Sequence, residues 1–269
     1  MRKTITHTVE YRGVGIHTGE ACAFRLHPGD GSGIKFLIND IIIPAHLSFK
    51  CADTRCTTLG RDGITIMTVE HLLAALYAFD IDDCIIEMRQ GKEIPIGDGS
   101  ALPFCALLRE AGISQTEGEP DIVAVKKSVT YAEGEVSISV TPSHETRITF
   151  LFDGSKFEYP SQRESIVFTQ ETFEREIAPA RTFGFWQEIA LLRGNGFAAG
   201  GSFENALVIK DGLPYNTEYR MTNEPVRHKI LDFVGDIALI GKRVRGDFIA
   251  ERSGHFHNNR FALQLSGQL

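Results

Sequence analysis

Three stretches of the sequence carry side chains able to do hydrolytic chemistry. In PVRHKILDFVGDIALIGK, from Pro225 onward, His228, Asp232 and Asp236 recur four positions apart. At about 100° per residue a step of four drifts about 40°, so on a helix the three share one stripe. Val226, Ile230, Phe233, Val234 and Ile237 fall on the opposite face. An imidazole and a carboxylate one turn apart can share a divalent cation if another element supplies a third ligand. A solvated polar stripe has the same spacing. In MTVEHLLAALYAF, Thr68 reads as an N-cap, which places Glu70 and His71 in a first helical turn, where partial positive charge favours an ionised carboxylate. A carboxylate beside a metal-binding His can take a proton from water. The order is not H-E-x-x-H, and a capped helix with an incidental His reads alike. In ERSGHFHNNR, Arg252, His255 and His257 sit in a Gly-containing, loop-like setting. A loop His near a metal can protonate a departing amine, and surface residues are the plain alternative. ARTFGFW adds Thr182 and Phe183, a hydroxyl and a ring suited to lining a sugar site or, equally, to ending a strand.

These residues need elements to hold them. The pattern predicts helices over Val69–Phe79, Ala101–Glu110, Thr172–Ile177, Phe185–Arg193 and Val226–Ile240. Strands are expected at Ala23–Leu26, Ile34–Ile38, Ile41–Ile43, Asp83–Met88 and Arg147–Phe152. Ala124–Tyr131 and Glu135–Thr141 read as a hairpin turning at Glu133-Gly134. The polar segment 112–121, GISQTEGEPD, reads as a linker between two halves, 1–113 and 122–269. Each half runs strands first and helix later, without βαβ alternation, which predicts an α+β fold of layered sheets and helices. A remote duplication is conceivable, but no sequence repeat shows it. GVGIHTG, Gly13–Gly19, is not the dinucleotide G-x-G-x-x-G and precedes no helix pattern, so it reads as a turn near His17. FALQLSGQL reads as a brief tail.

With 42% hydrophobic and 23% charged residues, 269 residues can bury a core without disulfides. A net charge of −7 argues against a general nucleic-acid binder and leaves room for a local cationic pocket. No apolar leader and no membrane-length apolar run stand out, and Cys22, Cys51, Cys56, Cys84 and Cys105 read as reduced thiols of a cytoplasmic protein.

TVEHLLAAL, EIPIGDGSALPF, ARTFGF, GGSFENALV, PVRHKILDFVGD and SGHFHNN follow one another here as they do in one family, with GVGIHTGE before them. The sequence closely resembles the UDP-3-O-acyl-N-acetylglucosamine deacetylases (LpxC family) of lipid A synthesis, from about residue 3 to about residue 260. The resemblance implies zinc, with iron(II) an alternative in the cell, on His71, His228 and Asp232. It implies Glu70 as general base, His255 as general acid oriented by Asp236, and Thr182 at the oxyanion. It also implies Lys229 and Arg252 toward the diphosphate and uridine, Phe183 against the sugar, and 184–209 as an apolar passage for the acyl chain. In that passage Phe185, Trp186, Leu191, Leu192, Phe197 and Phe203 supply the apolar groups. The expected partner is a nucleotide sugar bearing an acyl chain, bound by a monomer between two α+β domains, without nucleic acid or a membrane anchor.

Overall fold

The computed structural model describes residues 1–215 and 217–269. Two five-stranded sheets dominate it. The first runs, edge to edge, Val9–Val14, Ala21–Pro28, Cys84–Gln90, Ile34–Ile38 and Ile41–Pro44. The second runs Val129–Glu133, Val136–Thr141, Asp247–Glu251, Arg147–Phe152 and Gln162–Val167. Numbered along the chain, both sheets have the order 1-2-5-3-4. In both, the third and fifth strands are the parallel pair, and all other neighbours are antiparallel. In both, a helix lies between the fourth and fifth strands, and another follows the fifth. The duplication that the sequence hides is plain in the topology. The α+β expectation is met, with several sheets layered against helices.

Among the described residues five helices exceed two turns: α1 Glu70–Ala78, α2 Leu102–Ala111, α3 Trp186–Gly194, α4 Glu224–Ala238 and α5 His255–Ser266. None is long and apolar enough to cross a membrane. α1 is rich in Leu and Ala, good helix formers, and all of its residues but Tyr77 are buried. α4 carries Pro225 in its first turn, where a missing N–H costs nothing, and buries both its apolar face and the stripe His228, Asp232 and Asp236. The stripe faces protein, not water.

α1 and α4 pack together, with Gly235 at the crossing. A Cβ built there would lie 2.1 Å from the Glu70 carbonyl oxygen, so only a glycine lets the backbones meet. Buried side chains from the first sheet (Phe24, Phe36, Ile86), from the two helices (Leu72, Leu76, Ile230, Phe233) and from the second sheet (Ile138, Phe150, Phe248) form one continuous cluster.

Four local expectations change. Ile113–Thr116, read as linker, is a strand paired antiparallel with Arg2–Ile5, its residues alternating between more and less exposed as the pleat requires. Ile122–Ala124 pairs in parallel with Arg243–Arg245, so the hairpin strand begins only at Val129. The stretch read as a tail forms the second half of α5, with Phe261, Ala262 and Leu265 buried. Thr68 does not cap α1: it adopts φ 58°, and its hydroxyl donates to Glu93 Oε1 at 2.9 Å.

Candidate metal and catalytic site

Three helix surfaces converge on one buried group. α1 presents Glu70 and His71 from its first turn, α4 presents His228, Asp232 and Asp236 one turn apart, and α5 presents His255 from its first residue. His255 therefore begins a helix rather than lying in a loop. Candidate ligand atoms of His71, His228 and Asp232 all lie within 4.8 Å of one another. His228 Nε2 stands 3.3 Å and His71 Nε2 3.7 Å from the same oxygen, Asp232 Oδ1. His228 donates its Nδ1–H to the Ala180 carbonyl at 3.1 Å, which leaves Nε2 as its lone-pair nitrogen facing the carboxylate. His71 Nδ1 is buried without a hydrogen-bond partner.

The electrostatics agree with a cation. Burial, reinforced by His228 and opposed by Asp232, draws His71 down to about 4, so it is a neutral donor at neutral pH. Burial works against ionisation of Asp232, yet His228, Lys229 and His255 hold its carboxyl well below the usual range. Two imidazoles and a carboxylate buried together, with His71 Nδ1 lacking a hydrogen-bond partner, make a donor set that fits a divalent metal. Cys56 is no competitor, since burial pushes its thiol up to about 12.

Acid–base groups flank this set. Glu70 is 2% exposed, and burial pushes its carboxyl up to about 8, opposed by His255 and helped by Asp236 and Asp232. His255 donates Nδ1–H to Asp236 Oδ2 at 2.9 Å, and its Nε2 points to Glu70 Oε1, 3.7 Å away. Burial pulls His255 down, but Asp236, Glu70 and Asp232 outweigh it and push the imidazole up to about 10.

The remaining expected residues are placed as follows. Phe183 lies edge-on to the His228 ring, 6.1 Å between centroids. Lys229 Nζ binds Asp232 Oδ2 at 2.7 Å and lies 5.7 Å from the Phe183 ring centroid. Thr182 is half-buried, its N–H bonded to the Gly99 carbonyl and its own carbonyl to Leu207. Arg252 is not drawn into the group; its guanidinium pairs with Glu135 and Asp153, each at 3.0 Å. His17 lies in the expected turn, where its N–H donates to Glu93, and its ring meets Phe197 edge-on at 5.3 Å.

Several residues that support the site gave no sign in the sequence. Arg181, beside Ala180 and Thr182, binds Glu224 through Nε and Nη2 at 2.8 and 3.1 Å, and both side chains are buried. The pair ties the first residue of α4 to the segment that orients His228. Arg181→Met is expected to destabilise the fold by about 3–5 kcal/mol, because Glu224 keeps the Arg181 and Arg220 backbone N–H donors but is left buried without a counter-charge. Urea unfolding of the variant measures it.

Comparison with known proteins decides the family. A profile of the family described as "UDP-3-O-acyl N-acetylglycosamine deacetylase" (LpxC) matches residues 2–267. The chain belongs to this family. Curated relatives carrying the name UDP-3-O-acyl-N-acetylglucosamine deacetylase agree across nearly the whole sequence. The one from Syntrophotalea carbinolica is 42% identical over 98% of this chain and 87% of its own length. Those from Sulfurimonas denitrificans (40% identical, 97% of this chain, 90% of its own) and Myxococcus xanthus (38%, 98% and 86%) are similar. The family is one of metal-dependent hydrolases, and His71, His228 and Asp232 form a buried group that could hold a metal ion.

Proposed function

We propose that this chain removes the N-acetyl group of a UDP-3-O-acyl-N-acetylglucosamine, releasing acetate and the free amine, with zinc on His71, His228 and Asp232. Iron(II) suits the same donor set. The observation that carries this reading is the opposition of Glu70 and His255 beside the ligand group, 3.7 Å apart and both buried. Amide hydrolysis needs a base for water and an acid for a poor leaving group, close together and shielded from solvent. The bound cation supplies Lewis acidity to that space.

The chain's own residues then do the following. Glu70 accepts a proton from the attacking water as oxygen bonds to the acetyl carbon. The Thr182 hydroxyl donates to the oxyanion that develops on the acetyl oxygen. His255, held cationic by Asp236, gives its Nε2 proton to the amide nitrogen as the C–N bond breaks. Phe183 offers a ring face to the sugar, and Lys229 and Arg252 are assigned to the diphosphate side.

α3 supports an acyl chain at 184–209. No residue of this helix is buried, and Trp186, Leu191 and nearby Phe203 are 42%, 63% and 42% exposed. An ordinary buried segment would hide them. Phe185 is the exception, stacked on Phe157 at 4.1 Å. We keep the division into an N-terminal part, 1–113, and a C-terminal part, 122–269, with the site between them. Action as a monomer is part of the same proposal.

The test is acetate release from UDP-3-O-acyl-N-acetylglucosamine, before and after chelation and with zinc restored. Loss on chelation and recovery with zinc are expected. Metal bound without acetate release would leave the ligand assignment standing and remove the substrate.

A further inference from the structure

We propose that Thr57 is a positioning residue that holds the base and the acid of this site in one register, through its backbone on one side and its hydroxyl on the other. The inference rests on the roles given to Glu70, Asp236 and His255 above. Thr57 is fully buried in the loop before the strand Thr58–Arg61. Its N–H donates to Glu70 Oε2 at 3.0 Å, and its hydroxyl lies 2.6 Å from Asp236 Oδ1. Asn259 Nδ2 donates to the same hydroxyl at 3.1 Å and to the His255 carbonyl at 2.8 Å. A hydroxyl has one proton to give. With an amide N–H arriving and a carboxylate on the other side, that proton goes to Asp236.

The contacts close a loop. Glu70 touches Thr57, Thr57 touches Asp236, Asp236 touches His255, and His255 faces Glu70. Asp236 is fully buried, and its two oxygens are shared out: Oδ2 accepts from His255 and Asn258, while Oδ1 accepts from Thr57. Without that hydroxyl, Oδ1 has no donor among the described residues. The carboxylate is then free to turn, and the imidazole it orients turns with it. A residue that merely filled space would not need an oxygen here.

Valine separates the two roles, since it keeps the volume and the backbone N–H and loses only the hydroxyl. With metal-loaded full-length protein, Thr57→Val is expected to lower kcat by about 10- to 100-fold, as loss of a supporting hydrogen bond does. KM is expected to stay within about twofold and metal content to be unchanged, because the loss falls on the transition state. Thr57→Ser is expected to restore turnover. Because Thr57 acts through Asp236, adding Thr57→Val to Asp236→Asn is expected to cost nothing further. If the valine variant does not fold, Thr57→Ala is compared with Thr57→Ser in the same way.

Parental turnover in Thr57→Val, a serine variant as slow as the valine one, or multiplicative effects in the double variant would each overturn the inference. If Asp236→Asn and His255→Ala themselves turn over at the parental rate, the acid assignment fails and takes this inference with it. If they are slow and Thr57→Val is not, Thr57 alone is misassigned.

Discussion

Glu70→Gln is expected to lower kcat by about 10²- to 10⁴-fold, the range that a positioned general base supplies. The amide keeps the shape of the carboxylate, and its oxygen can still accept the Thr57 N–H, so the fold and the neighbouring ligands have no reason to move. What disappears is the capacity to take a proton. Metal content is therefore expected to match the parent, and KM to change little. A fall in bound metal that tracks the fall in turnover would mean that Glu70 serves the ligand set and not the water. Burial has already pushed this carboxyl up to about 8, which makes it a stronger base than a solvated glutamate. A dication on the neighbouring ligands draws that value down toward the working range.

His255→Ala is expected to cost a similar factor, about 10²- to 10⁴-fold, because the departing amine then leaves without a proton. The informative partner variant is Asp236→Asn. The active form of His255 is the imidazolium, so activity falls on the alkaline side as the ring loses its proton. Asp236 is the leading charge raising that ring to about 10 against the pull of burial. Removing the charge lowers the pKa, and the alkaline limb of kcat/KM is expected to move to lower pH. A bound dication shifts parent and variant together and leaves the sign of the difference intact. Stability follows the same sign. A raised folded-state pKa contributes stabilisation that is complete below the ordinary value of 6.5 and is lost as pH rises through about 10. An alkaline limb that stays in place in Asp236→Asn would assign it to another group.

The parts of the site that were legible in the sequence are those whose geometry is local. His228, Asp232 and Asp236 are spaced by one helical turn, and Glu70 and His71 open a helix, so their relation follows from the backbone alone. Whether that stripe met water or protein was not local, and only the packing of α1 on α4 shows that it is buried. Thr68 was misread for the same reason. Its hydroxyl is a fair N-cap by propensity, but Glu93, twenty-five residues on, claims it. Thr57 and Asp236 are 179 positions apart, and Arg181 and Glu224 are 43 apart; no window of sequence contains either pair. The strand Ile113–Thr116 carries no apolar–polar alternation to read, whereas the second half of α5 was readable in principle from Phe261 and Leu265, four apart. Flanking Gly, Gln and Pro drew both toward linker and tail.

The recurrence of one strand order, 1-2-5-3-4, in both sheets sets α1 and α4 in matching places of their halves. Two identical subunits related by a twofold axis would bring the same side chains to both places, so any base would face a second base. A single continuous chain is released from that symmetry. Here one copy of the topology carries Glu70 and His71, and the other carries His228, Asp232, Asp236 and, on its following helix, His255. The base and the acid proposed above therefore sit on different copies of the topology, Glu70 on one and His255 on the other, a division that a symmetric pair of the same elements could not make.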